Sequence, residues 1–157
     1  MRPTADSSAD LMLLLDANLL IYAYHAGSGE HAAAKAWVES AFSGAEAVGL
    51  PWLTILAFLC ITTNQRVFER PLSIAKAQGI AASWLARPQV HPVEAGANFF
   101  NVLSTLLGPA QIKGPLVNDA AIAALAIEHG ATLCTTDRDF ARFPGLKWVN
   151  PLQTSKR

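Results

Sequence analysis

Short continuous apolar runs alternate along this chain with longer segments in which apolar residues recur at helical spacing. Leu11 to Leu15 is an unbroken apolar run, the pattern of a strand buried on both faces. Glu30 to Phe42 places Ala32, Ala33, Ala36 and Trp37 at helical spacing and ends near Gly44, which predicts a helix. Ala45 to Leu50 reads as a strand stopped by Pro51, and Trp52 to Thr63 as a strongly apolar helix. Ser73 is placed to cap a helix running to about Ala86, with Pro88 closing it. Val90 to Val93 predicts a strand and Asn98 to Leu107 a helix ended by Gly108-Pro109. Asn118 to His129 is the clearest helix, rich in alanine, with Gly130 where a C-terminal cap belongs. Ala131 to Cys134 follows as a strand, then a loop, a short helix from about Arg138 to Phe143, and a last strand at Lys147 to Val149. Strands alternating with helices predict an α/β domain built on a parallel sheet covered on both faces. One domain over residues 11–151 accounts for the pattern, with residues 1–10 and 152–157 as loose ends.

Composition narrows the function. Of 157 residues 52% are hydrophobic and 15% charged, which excludes a disordered chain. Twelve Lys and Arg balance twelve Asp and Glu, against a strongly basic protein that coats DNA. Two cysteines, Cys60 and Cys134, are too few for a disulfide framework and suit a reducing compartment. The Leu11 to Leu15 run is broken at once by Asp16 and Asn18, far short of a membrane span, and the polar first ten residues lack the features of a signal peptide. The expectation is a cytoplasmic protein away from membranes.

In parallel sheets the ligand site lies beyond the carboxyl ends of the strands. Asp16 follows the first strand, Asp137 and Asp139 follow the strand Ala131 to Cys134, and Asp119 opens the alanine-rich helix. Any one of these acids alone reads as a helix cap or a partner of the helix dipole. Taken together they fall at one predicted sheet edge. Two carboxylates ~4 Å apart repel by about 4 kcal/mol at an effective dielectric of ~20. Such a group needs a cation or a proton, and carboxylate oxygens suit Mg²⁺ or Mn²⁺. Zinc does not fit, because no Cys/His cluster has ligand spacing.

The run Leu15-Asp16-Ala17-Asn18-Leu19-Leu20-Ile21-Tyr22 resembles the PIN-domain nucleases. So do Asn118-Asp119-Ala120 before the helix ending in Glu128-His129-Gly130, and Cys134-Thr135-Thr136-Asp137-Arg138-Asp139-Phe140. The likeness spans about Leu11 to Pro151, including Phe143-Pro144-Gly145-Leu146 and Trp148, and is nearest to the VapC-type toxins of bacterial toxin–antitoxin pairs. It implies a PIN-like three-layer fold, with a central, mostly parallel sheet flanked by helices. It also implies a ribonuclease dependent on Mg²⁺, with Mn²⁺ as a substitute, held inactive by a cognate antitoxin. By the resemblance Asp16, Asp119 and Asp137 match metal-binding acids and Asp139 a further acid of many members. Thr135 or Thr136 matches a hydroxyl residue near the last acid, and Asn18 lies beside the first. The chain departs from the pattern at Ala57, where many members carry a glutamate, and at Cys60, where related sequences tend to place an arginine. No acid occurs between Glu46 and Glu69, which leaves the number of bound ions open.

The expected reaction is phosphodiester hydrolysis, with catalysis assigned to Asp16, Asp119, Asp137, Asp139, Thr135 and Thr136. Arg66, Arg70, Arg138, Arg142 and Lys147 are the cations placed to frame the acidic edge and take phosphates, although solvation is the plainer role for each. His25 and His31 read as surface residues, His129 as a partner of a helix C-terminus, and the four tryptophans as packing residues. The apolar segment Trp52 to Ile61 is expected to be covered in part by a second subunit or by the antitoxin, which predicts a homodimer alongside the antitoxin and RNA partners. Two other readings remain. One is a non-catalytic PIN-like module that binds RNA or the antitoxin, prompted by Ala57. The other is an aspartyl-phosphate phosphotransfer protein, against which Asp16-Ala17-Asn18 lacks a second aspartate.

Overall fold

The computed structural model describes residues 11–109 and 111–153. The expected loose ends at 1–10 and 154–157 lie outside those residues. Of the remainder, Leu152 packs on the core and its N–H donates to Asn150 Oδ1, so this part of the chain is held rather than loose.

Five strands form one sheet in the order β3-β2-β1-β4-β5, and every pairing is parallel. The elements run β1 (Met12–Leu15), α1 (Ala17–Tyr24), α2 (His31–Ser43), β2 (Ala47–Pro51), α3 (Trp52–Thr62) and α4 (Ile74–Leu85). They continue with β3 (Val90–Val93), α5 (Phe99–Leu107), α6 (Leu116–Glu128), β4 (Thr132–Cys134), a 3₁₀ turn at Arg138–Arg142, and β5 (Trp148–Val149). The strand-and-helix alternation of the sequence is realised as the expected α/β architecture, a parallel sheet with helices on both faces.

Side-chain alternation along the strands divides the core into two layers. Leu13 and Leu15 of β1, Val48 and Leu50 of β2 and Val90 of β3 face one cluster with α1 to α4. Met12 and Leu14 of β1, Val93 of β3 and Leu133 of β4 face the other, with α5 and α6. In the first layer Trp84 is buried between Phe42, stacked at 5.8 Å, and Phe58, edge-on at 4.7 Å. In the second, α6 lays Ala120, Ala123, Ala124 and Ala126 against the sheet, where small side chains allow close approach.

One stretch without an assigned element folds as a helix, and two local readings change. The stretch after Asp16 is a helix, α1, which burying Leu19, Leu20 and Ala23 holds on the sheet. The buried stripe of α2 is Ala34, Val38 and Phe42, one face at four-residue spacing, whereas Ala32, Ala33 and Ala36 face solvent. Helix α6 begins at Leu116, two residues early, because Pro115 has helical dihedrals and starts the turn without needing an N–H. Gly130 ends α6 at φ 62°, the left-handed conformation that a glycine adopts freely, as its position suggested. Among the tryptophans Trp84 is core, Trp37 and Trp148 are half-buried, and Trp52 is 41% exposed with its indole N–H donating to Glu94.

β2 needs a glycine at its middle. A Cβ on Gly49 would lie 2.8 Å from Val93 Cγ2, 3.0 Å from Met12 Sδ and 3.1 Å from Leu14 Cδ1. Glycine here lets three neighbours on two strands close over the strand. Gly49→Ala is expected to destabilise the protein by about 1–3 kcal/mol through overpacking, seen as a lower urea midpoint with an unchanged slope.

Candidate active site

Parallel pairing of β1 with β4 brings their carboxyl ends side by side, and the ladder continues one step further as Asp16 N–H donates to the Cys134 carbonyl at 3.0 Å. Asp16 is the N-cap of α1: its Oδ1 accepts from Ala17 N–H at 2.8 Å. Its other oxygen, Oδ2, accepts from the Thr135 hydroxyl at 2.8 Å. Thr135 is fully buried, and its Oγ1 also accepts from Asn18 Nδ2 at 3.3 Å and from Asp137 N–H at 3.0 Å. One hydroxyl thus joins the end of β1, the first turn of α1 and the loop after β4. Thr136, the neighbouring candidate, is not part of this network.

Asp137 caps the 3₁₀ turn, its Oδ1 accepting from Asp139 N–H at 2.8 Å. Asp139 is exposed and pairs with Arg142, whose Nη2 stands 3.3 Å from Oδ1. Asp119 approaches from the opposite layer in the first turn of α6, a helix that runs back across the sheet so that its N-terminus meets the carboxyl edge. All four predicted acids therefore gather at one rim.

The electrostatics record that gathering. The Asp119 carboxyl is pushed up to about 6, first by burial and then by the negative charges of Asp16, Asp137 and Asp139, while Arg142 opposes the shift. Asp16 is also raised, chiefly by burial and further by Asp137, against the stabilising hydrogen bonds from Thr135 and Ala17. Both acids are harder to ionise than a free carboxylate, first because they are buried and then because like charges face them.

A cleft of about 320 Å³ opens at this rim. Asp16 and Asp119 form its polar end with Asn118, while Leu53, Leu56, Ala57 and Cys60 of α3 form an apolar wall opposite. Asp137 and Asp139 lie outside this lining. Thr54, also in the cleft, fixes α3 to the sheet by donating to the Leu15 carbonyl at 2.8 Å. Leu53 and Leu56 had no assigned role in the sequence, and Asn118 appeared there only as part of the Asn118-Asp119-Ala120 motif. Asn118 carries a usable signal, being the neighbour of Asp119 in the first helical turn, whereas the two leucines are typical helix residues.

Among the described residues no three His, Cys, Asp or Glu side chains close into a chelating group. The donors present still suit a hard cation, since Mg²⁺ commonly takes one or two carboxylates and keeps several waters. Asn18 Oδ1 adds a buried carbonyl oxygen without a hydrogen-bond partner. The remaining candidates sit elsewhere. His31 Nδ1 is 2.8 Å from the Tyr22 carbonyl, His25 packs on Phe68, and His129 Nε2 is 2.8 Å from the Glu94 carbonyl while its backbone caps α6. Lys147 precedes β5, at the opposite end of the strands from the acids.

A model of the PIN domain matches residues 13–146. Ribonuclease VapC37 of Mycobacterium tuberculosis is 39% identical over 140 residues, covering 89% of this chain and 97% of the relative. Ribonuclease VapC33 of the same organism is 36% identical over 142 residues, covering 90% and 99%. The fold is similar to that in the crystal structure of VapBC2 from Rickettsia felis bound to a DNA fragment from their promoter. The TM-score is 0.66 at 19% identity, over 89% of this chain and 98% of that one. With family-wide likeness over nearly its whole length and aspartates gathered where its sheet ends, the chain belongs to the PIN-domain family, among the VapC ribonucleases.

Proposed function

We propose that this protein is the endoribonuclease toxin of a toxin–antitoxin pair, hydrolysing RNA phosphodiester bonds at the carboxylate rim with Mg²⁺ or Mn²⁺ as cofactor. The observation that carries the reading is the convergence of Asp16, Asp119, Asp137 and Asp139 from three distant stretches of chain, where burial first and the neighbouring negative charges second raise Asp119 to about 6. Its alignment with named ribonucleases over nearly their full length supports the same reaction here.

Asp16, Asp119 and Asp137 are the residues that would hold the cation, and Asp139 deepens the negative potential around them. The ion, when bound, supplies positive charge that favours ionisation of a water and offsets charge developing on the phosphate. Thr135 keeps the Asp16 carboxylate in one orientation by donating to Oδ2. Thr136, half-buried in the same loop, is the neighbouring hydroxyl open to substrate. Arg138 and Arg142, on the turn that carries Asp139, are placed to meet phosphates flanking the cut.

The antitoxin partner is supported by apolar residues left open on α3: Trp52, Leu53 and Leu56, the last 58% exposed. Phe100, 72% exposed on α5, supports pairing of two copies. A cytoplasmic setting accords with two cysteines in the thiol form, and among the described residues no helix is long and apolar enough to cross a membrane. Ala57 on the cleft wall favours one second reading, a non-catalytic module that binds RNA or the antitoxin.

Cleavage of RNA by purified protein with Mg²⁺, compared with EDTA, tests the proposal directly. Asp16→Asn and Asp119→Asn should each lower the rate by at least ~100-fold with an unchanged circular dichroism spectrum, as expected for groups at the reacting centre. Full activity in both variants would overturn the assignment, and no cleavage by the native chain would favour the binding module. Thr135→Val, which removes the donor to Asp16, should cut metal affinity or rate by about 10- to 100-fold. Because a proton on Asp119 competes with the cation, Mg²⁺ affinity measured calorimetrically should climb as pH rises through about 6 and level off above about 7. Asp119→Asn should flatten that profile.

A further inference from the structure

The shape of the cleft limits how many ions the site can take. Its polar end is built by Asp16, Asn118 and Asp119, whereas the facing wall of α3 offers Leu53, Leu56, Ala57 and Cys60, with Thr54 already donating its hydroxyl to the Leu15 carbonyl. No carboxylate on α3 reaches this space, because the sequence has no acid between Glu46 and Glu69. The acids on the far side are already engaged. Asp139 is paired with Arg142 at 3.3 Å, and Asp137 caps the turn through Oδ1. Asp16, Asp119 and Asp137 are the acids here without an ion-pair partner, and of these Asp16 and Asp119 line the cleft.

We infer that the site binds a single divalent cation per chain, and that the hydrocarbon wall of α3 excludes a second. This rests on the metal-dependent reading above. One doubly charged ion leaves three carboxylates with one residual negative charge. A second would make the site net positive and would place its outer face against leucine and alanine side chains, with no anionic oxygen to replace its lost water. Two divalent ions side by side also repel roughly four times as strongly as two unit charges at the same distance. The single-ion site leaves the α3 side of the cleft apolar during turnover.

The test is a Mn²⁺ titration of the full-length, metal-stripped protein, with free Mn²⁺ read by electron paramagnetic resonance. Saturation at one Mn²⁺ per chain is expected, and two per chain in the native protein would overturn the inference. No Mn²⁺ bound at millimolar concentration would instead overturn the metal-dependent reading on which it rests. Ala57→Glu, which puts a carboxylate on the exposed wall, should raise the saturation to two per chain. A folded Ala57→Glu protein that stays at one would overturn the role given to α3. The native stoichiometry decides the count even if that variant fails to fold.

Discussion

Carboxylates brought together at the end of a sheet repel one another, and the fold has to hold them against that repulsion before it can use it. The buried hydroxyl of Thr135 is the clamp. It donates to Asp16 and accepts from Asn18 and from the Asp137 amide, so the two loops that carry the acids share one oxygen. Asp137 is a local partner of Thr135, whereas Asp16 and Asn18 reach it from 119 and 117 positions away in sequence. The parallel β1–β4 pairing beneath them supplies the rigid base.

Much of this was legible in the chain because parallel α/β folds write their plan plainly. Buried strands appear as unbroken apolar runs such as Leu11 to Leu15, and the rule that ligands meet the carboxyl ends of strands turns a strand map into a short list of acids. Asp16, Asp119, Asp137 and Asp139 came from that rule together with family resemblance. Other features were not readable, for physical reasons. Helix α1 lay hidden in a run whose residues suit strand and helix alike, and only the Asp16 cap distinguishes it. The face of α2 was misjudged because alanine tolerates burial and exposure almost equally, so its spacing points nowhere in particular. Choosing Thr135 over Thr136 required knowing which way each hydroxyl turns.

The apolar helix α3 serves two neighbourhoods. Thr54, Ile55 and Phe58 secure it to the sheet and to the aromatic packing around Trp84. Its other side borders the cleft and remains open at Leu53 and Leu56. An element that is hydrophobic all round therefore has both an inner and an outer use for its surface, and the outer one lies beside the acids. Substitutions on that side change what the cleft admits without loosening the core.

Among the described strands, the central one of the sheet comes first in sequence. β1 waits between β2 and β4, and the hydrogen bond that orients Asp16 joins residues 119 positions apart in sequence. Closing so wide a loop comes late in folding, since distant pairings are entropically slow to form. A nascent or truncated chain thus carries Asp16 without the hydroxyl that aims it. The rim therefore stays unformed until β4 has been made and has paired with β1.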